Sequence, residues 1–190
     1  MGGDGPVEHA SENRRVVLSL NSLAGWEDAV LASIAGAQGA AEDRDRQIER
    51  SGVYGEYPAI VRAYEELFTA PDVAGEAIKR AVFLVWRGAM EMPADTAIAP
   101  LPDGTVRQVV NALDARARRG EFDHEQEWML AWYHAQSPYL LELYGATPAL
   151  IRAAETCAPA EWRNAGITNE RMELRGQMGR YWRALAAGAP

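Results

Sequence analysis

Between Glu121 and His134 the sequence concentrates side chains able to bind metals or move protons: Glu121, Asp123, His124, Glu125, Glu127 and His134, with Trp128 and Trp132 among them. Glu121-x-x-His124 has the carboxylate–histidine spacing by which di-iron bundles hold their metals, but such sites need two pairs and two further glutamates. Ala131 stands three residues before His134, so the second pair is absent. Gly120 and Asp123 also place the first pair across a helix start instead of along one face. A mononuclear site from His124, Glu127 and His134 has little more to support it. Arg119 and His124 are separated by four residues, but 18 arginines and three histidines give an arginine–histidine match of this kind about once by chance, so it implies no RNA chemistry. The surrounding acidic residues would repel RNA. The expectation is no catalytic residue, no metal and no cofactor. His124, Glu127, Trp128 and His134 are kept as a secondary candidate cluster.

The first candidate for a ligand or partner site lies elsewhere. Arg87 and Glu91 are four residues apart in the order that favours a helical ion pair. They follow the apolar run Ala81–Trp86 and precede a long connection, 93–102, that carries Ile98 and Leu101 without lysine or arginine. Long loops at the ends of rigid helices tend to carry binding surfaces. A concave site lined by Trp86, Arg87, Glu91, Ile98 and Leu101 is therefore expected, against the plainer reading that Ile98 and Leu101 only cap the core. Glu76 and Arg80 share the favourable spacing and read as a surface pair. Cys157, the single cysteine, has no partner locatable from sequence and reads as a small buried apolar residue.

The elements that must position these residues are helical. Apolar residues recur three and four apart in segment after segment, and no stretch of comparable length alternates as a strand does. Val16 to Leu23 gives a short first helix, and Trp26, Val30, Leu31 and Ile34 a second face that Gly36 and Gly39 weaken. Whether 26–51 is one helix or two stays open. AEDRDRQIER reads as a solvated helix with Ile48 its one strong apolar residue. Residues 57–69 form the next helix. The one after, 72–92, has Asp72 as its expected cap and, with its centre apolar all round, is the predicted central helix. Val106, Val109, Val110 and Leu113 line a helix closed by arginines and Gly120. Asp123 with Gln126 resembles a capping box for the helix that Pro138 limits. Thr147–Pro148 opens another, and a last helix from Thr168 or Asn169 is expected to bury Leu174, Met178, Tyr181, Trp182 and Leu185.

The expected fold is all-α: an irregular orthogonal helical bundle of about eight or nine helices, after a disordered tail at 1–12 and within one domain over 13–187. The pairs 57–69 with 72–92 and 103–119 with 123–137 should form αα-hairpins. HEAT-like stacking is the alternative, weakened by the lack of a repeated signature.

A chain of 190 residues, 48% hydrophobic, can fill one core, and its net charge of −8 argues against an extended nucleic-acid groove or binding to an anionic membrane. Arginine outnumbers lysine 18 to one, which with abundant alanine and glycine fits a GC-rich bacterial genome. The acidic N-terminus lacks the basic-then-apolar order of a secretory signal, and no apolar run approaches the length of a membrane span. Cytoplasmic location is the expectation. These features favour a non-enzymatic protein-interaction module, such as an adaptor, an immunity-type inhibitor or a regulatory subunit, whose protein partner would carry basic charge. The competing reading is an enzyme or small-ligand-binding protein with a pocket near Arg87 and Glu91 or near His124, Glu127 and His134.

Overall fold

The computed structural model describes residues 18–188, and these form eleven α-helices and two 3-10 turns, with no strand among them. In chain order they are α1 (Leu20–Ala35), α2 (Ala41–Arg50), α3 (Glu56–Glu65), α4 (Ala74–Met90), α5 (Pro93–Thr96), α6 (Asp103–Arg119), α7 (His124–Gln136), α8 (Pro138–Leu143), α9 (Pro148–Ala154), α10 (Asn169–Met172) and α11 (Gly176–Ala186). The 3-10 turns cover Val53–Gly55 and Glu161–Asn164. The expected tail at 1–12 and the residues Val16 and Val17 lie outside the described residues. No helix among the described residues is long and apolar enough to cross a membrane.

Local chemistry sets most boundaries. Ser19 and Ser22 form a reciprocal cap: each hydroxyl accepts a hydrogen bond from the other's backbone N–H, at 3.1 and 3.0 Å. The helix then runs unbroken to Ala35, so Leu20 and Ile34 share one element. Gly36 follows it, and 26–51 is two helices. Asp123 caps α7 by accepting from the Gln126 N–H at 2.7 Å, but the Gln126 side chain stays buried without a partner, so the box is only half built. Thr168 caps α10 through the Arg171 N–H. Pro138 separates α7 from α8 by excluding helical geometry at Ser137, whose φ is −147°.

Several of these expectations change. Val73, not Asp72, occupies the cap position of α4, with no side-chain hydrogen bond there. The 93–102 connection contains α5, opened by Pro93 in the first turn. The last helix is two, α10 and α11. Leu174 lies between them at φ +56° and 60% exposed, so it turns the chain instead of entering the core. The helix count rises above nine chiefly through such one-turn pieces.

The centre is α4, buried from Ala77 through Trp86. It packs against α3 and α6 most extensively, and against α5, α7 and α11. Phe83 is fully buried, with ring centroids 5.5 Å from Tyr181, 6.0 Å from Trp86 and 6.2 Å from Tyr133. Trp128, Trp132, Trp162 and Trp182 extend this aromatic core toward α7 and α11. Burial of such rings is the main stabilising term here. α3 packs on α4 as expected, but α6 and α7 do not lie along each other: both pack on α9. At the start of α9 the buried Asp114 of α6 accepts from the Thr147 N–H at 3.1 Å and the Thr147 hydroxyl at 2.5 Å. Thr147 therefore ties two helices together instead of capping its own.

Candidate functional site

Where α4 ends, α5 and α11 leave a groove of about 570 Å³ lined by Leu31, Arg87, Glu91, Asp95, Gln177, Arg180, Tyr181, Ala184 and Leu185. The i, i+4 spacing predicted for Arg87 and Glu91 is realised as an ion pair at 2.7 Å. Arg87 also lies over the Tyr181 ring, its guanidinium carbon 5.0 Å from the centroid. Burial pushes the Glu91 carboxyl up; Arg87 opposes that and Asp95 adds to it. Arg180 is paired outward with Asp28 at 2.9 Å. Arg87 thus pairs with Glu91 alone, and Asp95 has no arginine or lysine within ion-pair distance among the described residues, leaving one unpaired carboxylate in the groove beside an apolar edge of Leu31, Ala184 and Leu185.

The other expected wall residues go elsewhere. Trp86 lies behind Tyr181, 5.3 Å between ring centroids, is stacked on Tyr133 at 4.8 Å, and lines a small enclosed cavity with Val82, Val109, His134 and Ser137. Ile98 is fully buried. It packs so closely on α4 that a Cβ at Gly88 would lie 2.8 Å from its methyl group. Leu101 lines a separate groove of about 110 Å³ with Val85, Pro100, Leu140 and Tyr144. Arg87 and Glu91 therefore share a concave surface with Asp95, while Trp86, Ile98 and Leu101 do not line it.

Gln177 forms the groove's floor and connects it to a buried polar cluster. Its side-chain amide donates to the Thr96 carbonyl at 2.9 Å and to the Tyr57 hydroxyl, and its backbone N–H donates to Glu27 at 2.8 Å. Glu27 is 1% exposed and also accepts from the Tyr64 hydroxyl at 2.6 Å. Burial raises its carboxyl to about 7, against hydrogen bonds from Tyr64 and Gln177 that favour the charged form. Gly176 makes this possible: at φ +58°, a Cβ there would lie 2.5 Å from the Glu27 carboxylate.

A second buried group joins α4, α7 and the α10–α11 turn. Glu76 accepts from Arg80 at 2.7 Å and is gripped by both Nε and Nη2 of Arg175, which turns its other edge to Glu125 at 2.8 and 2.9 Å. Lys79, the only lysine of the chain, donates to Glu125 at 2.6 Å and Asp123 at 3.1 Å. Burial works to raise Glu125, but Arg175 and Lys79 hold it down to about 2. Glu76 and Arg80, expected as a surface pair, are part of this network, with Arg80 4% exposed.

The secondary cluster divides. His134 lines the enclosed cavity and Trp128 is buried in edge contact with Trp182 at 4.7 Å. His124 and Glu127 remain at the outer start of α7, Nδ1 to carboxylate oxygen 3.6 Å. Glu121 turns away to Arg119, at 2.5 and 2.9 Å, so neither the Glu121–His124 pair nor an Arg119–His124 pair is assembled. In its place Cys157 comes beside His124 and Glu127, with one donor atom from each within 4.8 Å of the others. Burial, then Glu127 and Glu161, push the Cys157 thiol up.

Sequence reasoning missed Asp95, Gln177, Tyr181 and the Glu27 cluster as parts of one region. Glu27 alone left a signal: a carboxylate three residues from both Ala24 and Val30, on the buried stripe of its helix. No protein family, curated protein or solved structure matches this chain.

Proposed function

We propose that the chain is a non-enzymatic protein-interaction module whose groove between α4, α5 and α11 receives a basic segment of a partner protein. The observation that carries this reading is that Asp95, a carboxylate without an ion-pair partner among the described residues, lines one groove with the Arg87–Glu91 pair and an apolar edge. An arginine or lysine side chain would lay its methylenes against Leu31 and Leu185 and bring its charge to the carboxylates. The net charge of −8 would speed encounter with such a partner. The scaffold fits an irregular orthogonal bundle better than a HEAT-type array, because its helices range from one turn to 17 residues without a period.

The volume of about 570 Å³ lies within the range of small-ligand pockets and supports a second reading, a small cationic ligand. One experiment separates them. The chain is titrated by calorimetry with an arginine- and lysine-rich decapeptide, its acidic counterpart, and arginine amide. Binding of the basic peptide alone, weakened by salt and lost in a Glu91→Gln, Asp95→Asn double variant with unchanged thermal midpoint, supports the interaction module. Arginine amide binding as tightly as the peptide supports the small-ligand reading. Equal binding of the acidic peptide, or no effect of the double variant, overturns the groove assignment.

A further inference from the structure

We propose that His124, Glu127 and Cys157 form a mononuclear zinc site at the outer end of α7. The three donors come from two segments that the fold holds together: His124 and Glu127 lie one turn apart on α7, and Cys157 follows α9, which packs on α7. Imidazole nitrogen, carboxylate oxygen and sulfur lie within 4.8 Å of one another. With zinc bonds of about 2.0–2.3 Å in tetrahedral array, ligand atoms stand roughly 3.3–3.8 Å apart. His124 and Glu127 are already 3.6 Å apart, and the His124 side chain is 66% exposed, free to rotate through the remaining distance.

Charge points the same way. Among the described residues Glu127 has no arginine or lysine within ion-pair distance, only His124. Glu127 and Glu161 both bear on the Cys157 thiol, so the site is a concentration of negative potential that a cation would neutralise. The donor set selects the metal: a thiolate is a poor ligand for calcium or magnesium, while one sulfur, one nitrogen and one oxygen suit borderline-soft Zn2+. Three protein ligands leave the fourth position to water. On binding, the Cys157 S–H bond breaks, sulfur bonds to zinc and the proton passes to solvent, so affinity should rise with pH.

The test uses the full chain freed of metal with a chelator. Competition against a chromophoric zinc chelator should give one zinc per chain. Co2+ as a probe should produce a near-ultraviolet thiolate-to-cobalt charge-transfer band. Cys157→Ser should abolish that band, and Cys157→Ser, His124→Ala and Glu127→Gln should each weaken zinc binding about tenfold or more, with helical circular dichroism unchanged. His134→Ala should change neither. The proposal is overturned if zinc binds substoichiometrically, if the cobalt band is missing, or if zinc affinity is indifferent to Cys157→Ser. Rapid alkylation of Cys157 that depends on His124, without zinc binding, would overturn it in favour of a reactive thiol.

Discussion

The ammonium of Lys79 lies 2.6 Å from the carboxylate of Glu125, and this contact, 8% and 15% exposed on its two sides, joins α4 to α7. Arg175 holds the same carboxylate from α11's side at 2.8 Å. Removing Glu125 would leave two buried cations with fewer partners. Glu125→Ala should destabilise by about 3 kcal/mol in urea denaturation at pH 7, the range for breaking a buried ionic group from one side. Its folded carboxyl sits near 2, below the ordinary 4.5, so its contribution is present above about pH 4.5 and lost as pH falls through about 2. The variant should accordingly lose part of the acid-unfolding transition seen in the parent.

Glu27 has the opposite sign. Its folded carboxyl titrates near 7 against an ordinary 4.5, so folding favours the protonated form. The associated stability is complete below about pH 4.5 and disappears as pH rises through about 7, amounting to about 3 kcal/mol. Glu27→Gln should therefore show a flatter stability profile between pH 5 and 8 than the parent. Identical slopes would mean that Glu27 ionises freely in the fold.

Gly176→Ala tests the close approach that admits Glu27. The new methyl would meet the carboxylate while forcing an L residue to φ +58°. A loss of about 3 kcal/mol is expected from chemical denaturation, combining backbone strain with a displaced buried group.

Phe83→Ala empties the middle of α4's aromatic contacts, and the expected loss is about 3–5 kcal/mol. Thermal unfolding measured by circular dichroism reads this directly. A change below about 1 kcal/mol, the scale of surface substitutions, would contradict its central placement.

Several features follow from local sequence because their causes are local. The apolar run Ala81–Trp86 requires burial on all sides wherever it is placed, and α4 is central. Asp123 and Thr168 cap because a short polar side chain before a helix reaches its second or third N–H. Ile48 is the one strong apolar residue of a charged helix and is its buried residue. The Arg87–Glu91 pair needs only helical spacing to form.

What tertiary structure decided concerns partners drawn from distant segments. Nothing within α11 marks Gln177 as the link between Glu27, Tyr57 and Thr96, since each bond crosses between helices. Glu76 and Arg80 have the spacing of a surface pair, but the arrival of Arg175 from the far end of the chain makes them a buried network. Ile98 and Leu101 stand three residues apart, yet Ile98 fills the space that Gly88 leaves open on α4 while Leu101 turns to α6 and α8. Cys157 had no partner in its own segment and gained His124 and Glu127 through the packing of α9 on α7. Periodicity fixes which face of a helix is apolar, but the neighbour of a polar atom depends on how helices pack, and that is a sum over the whole core.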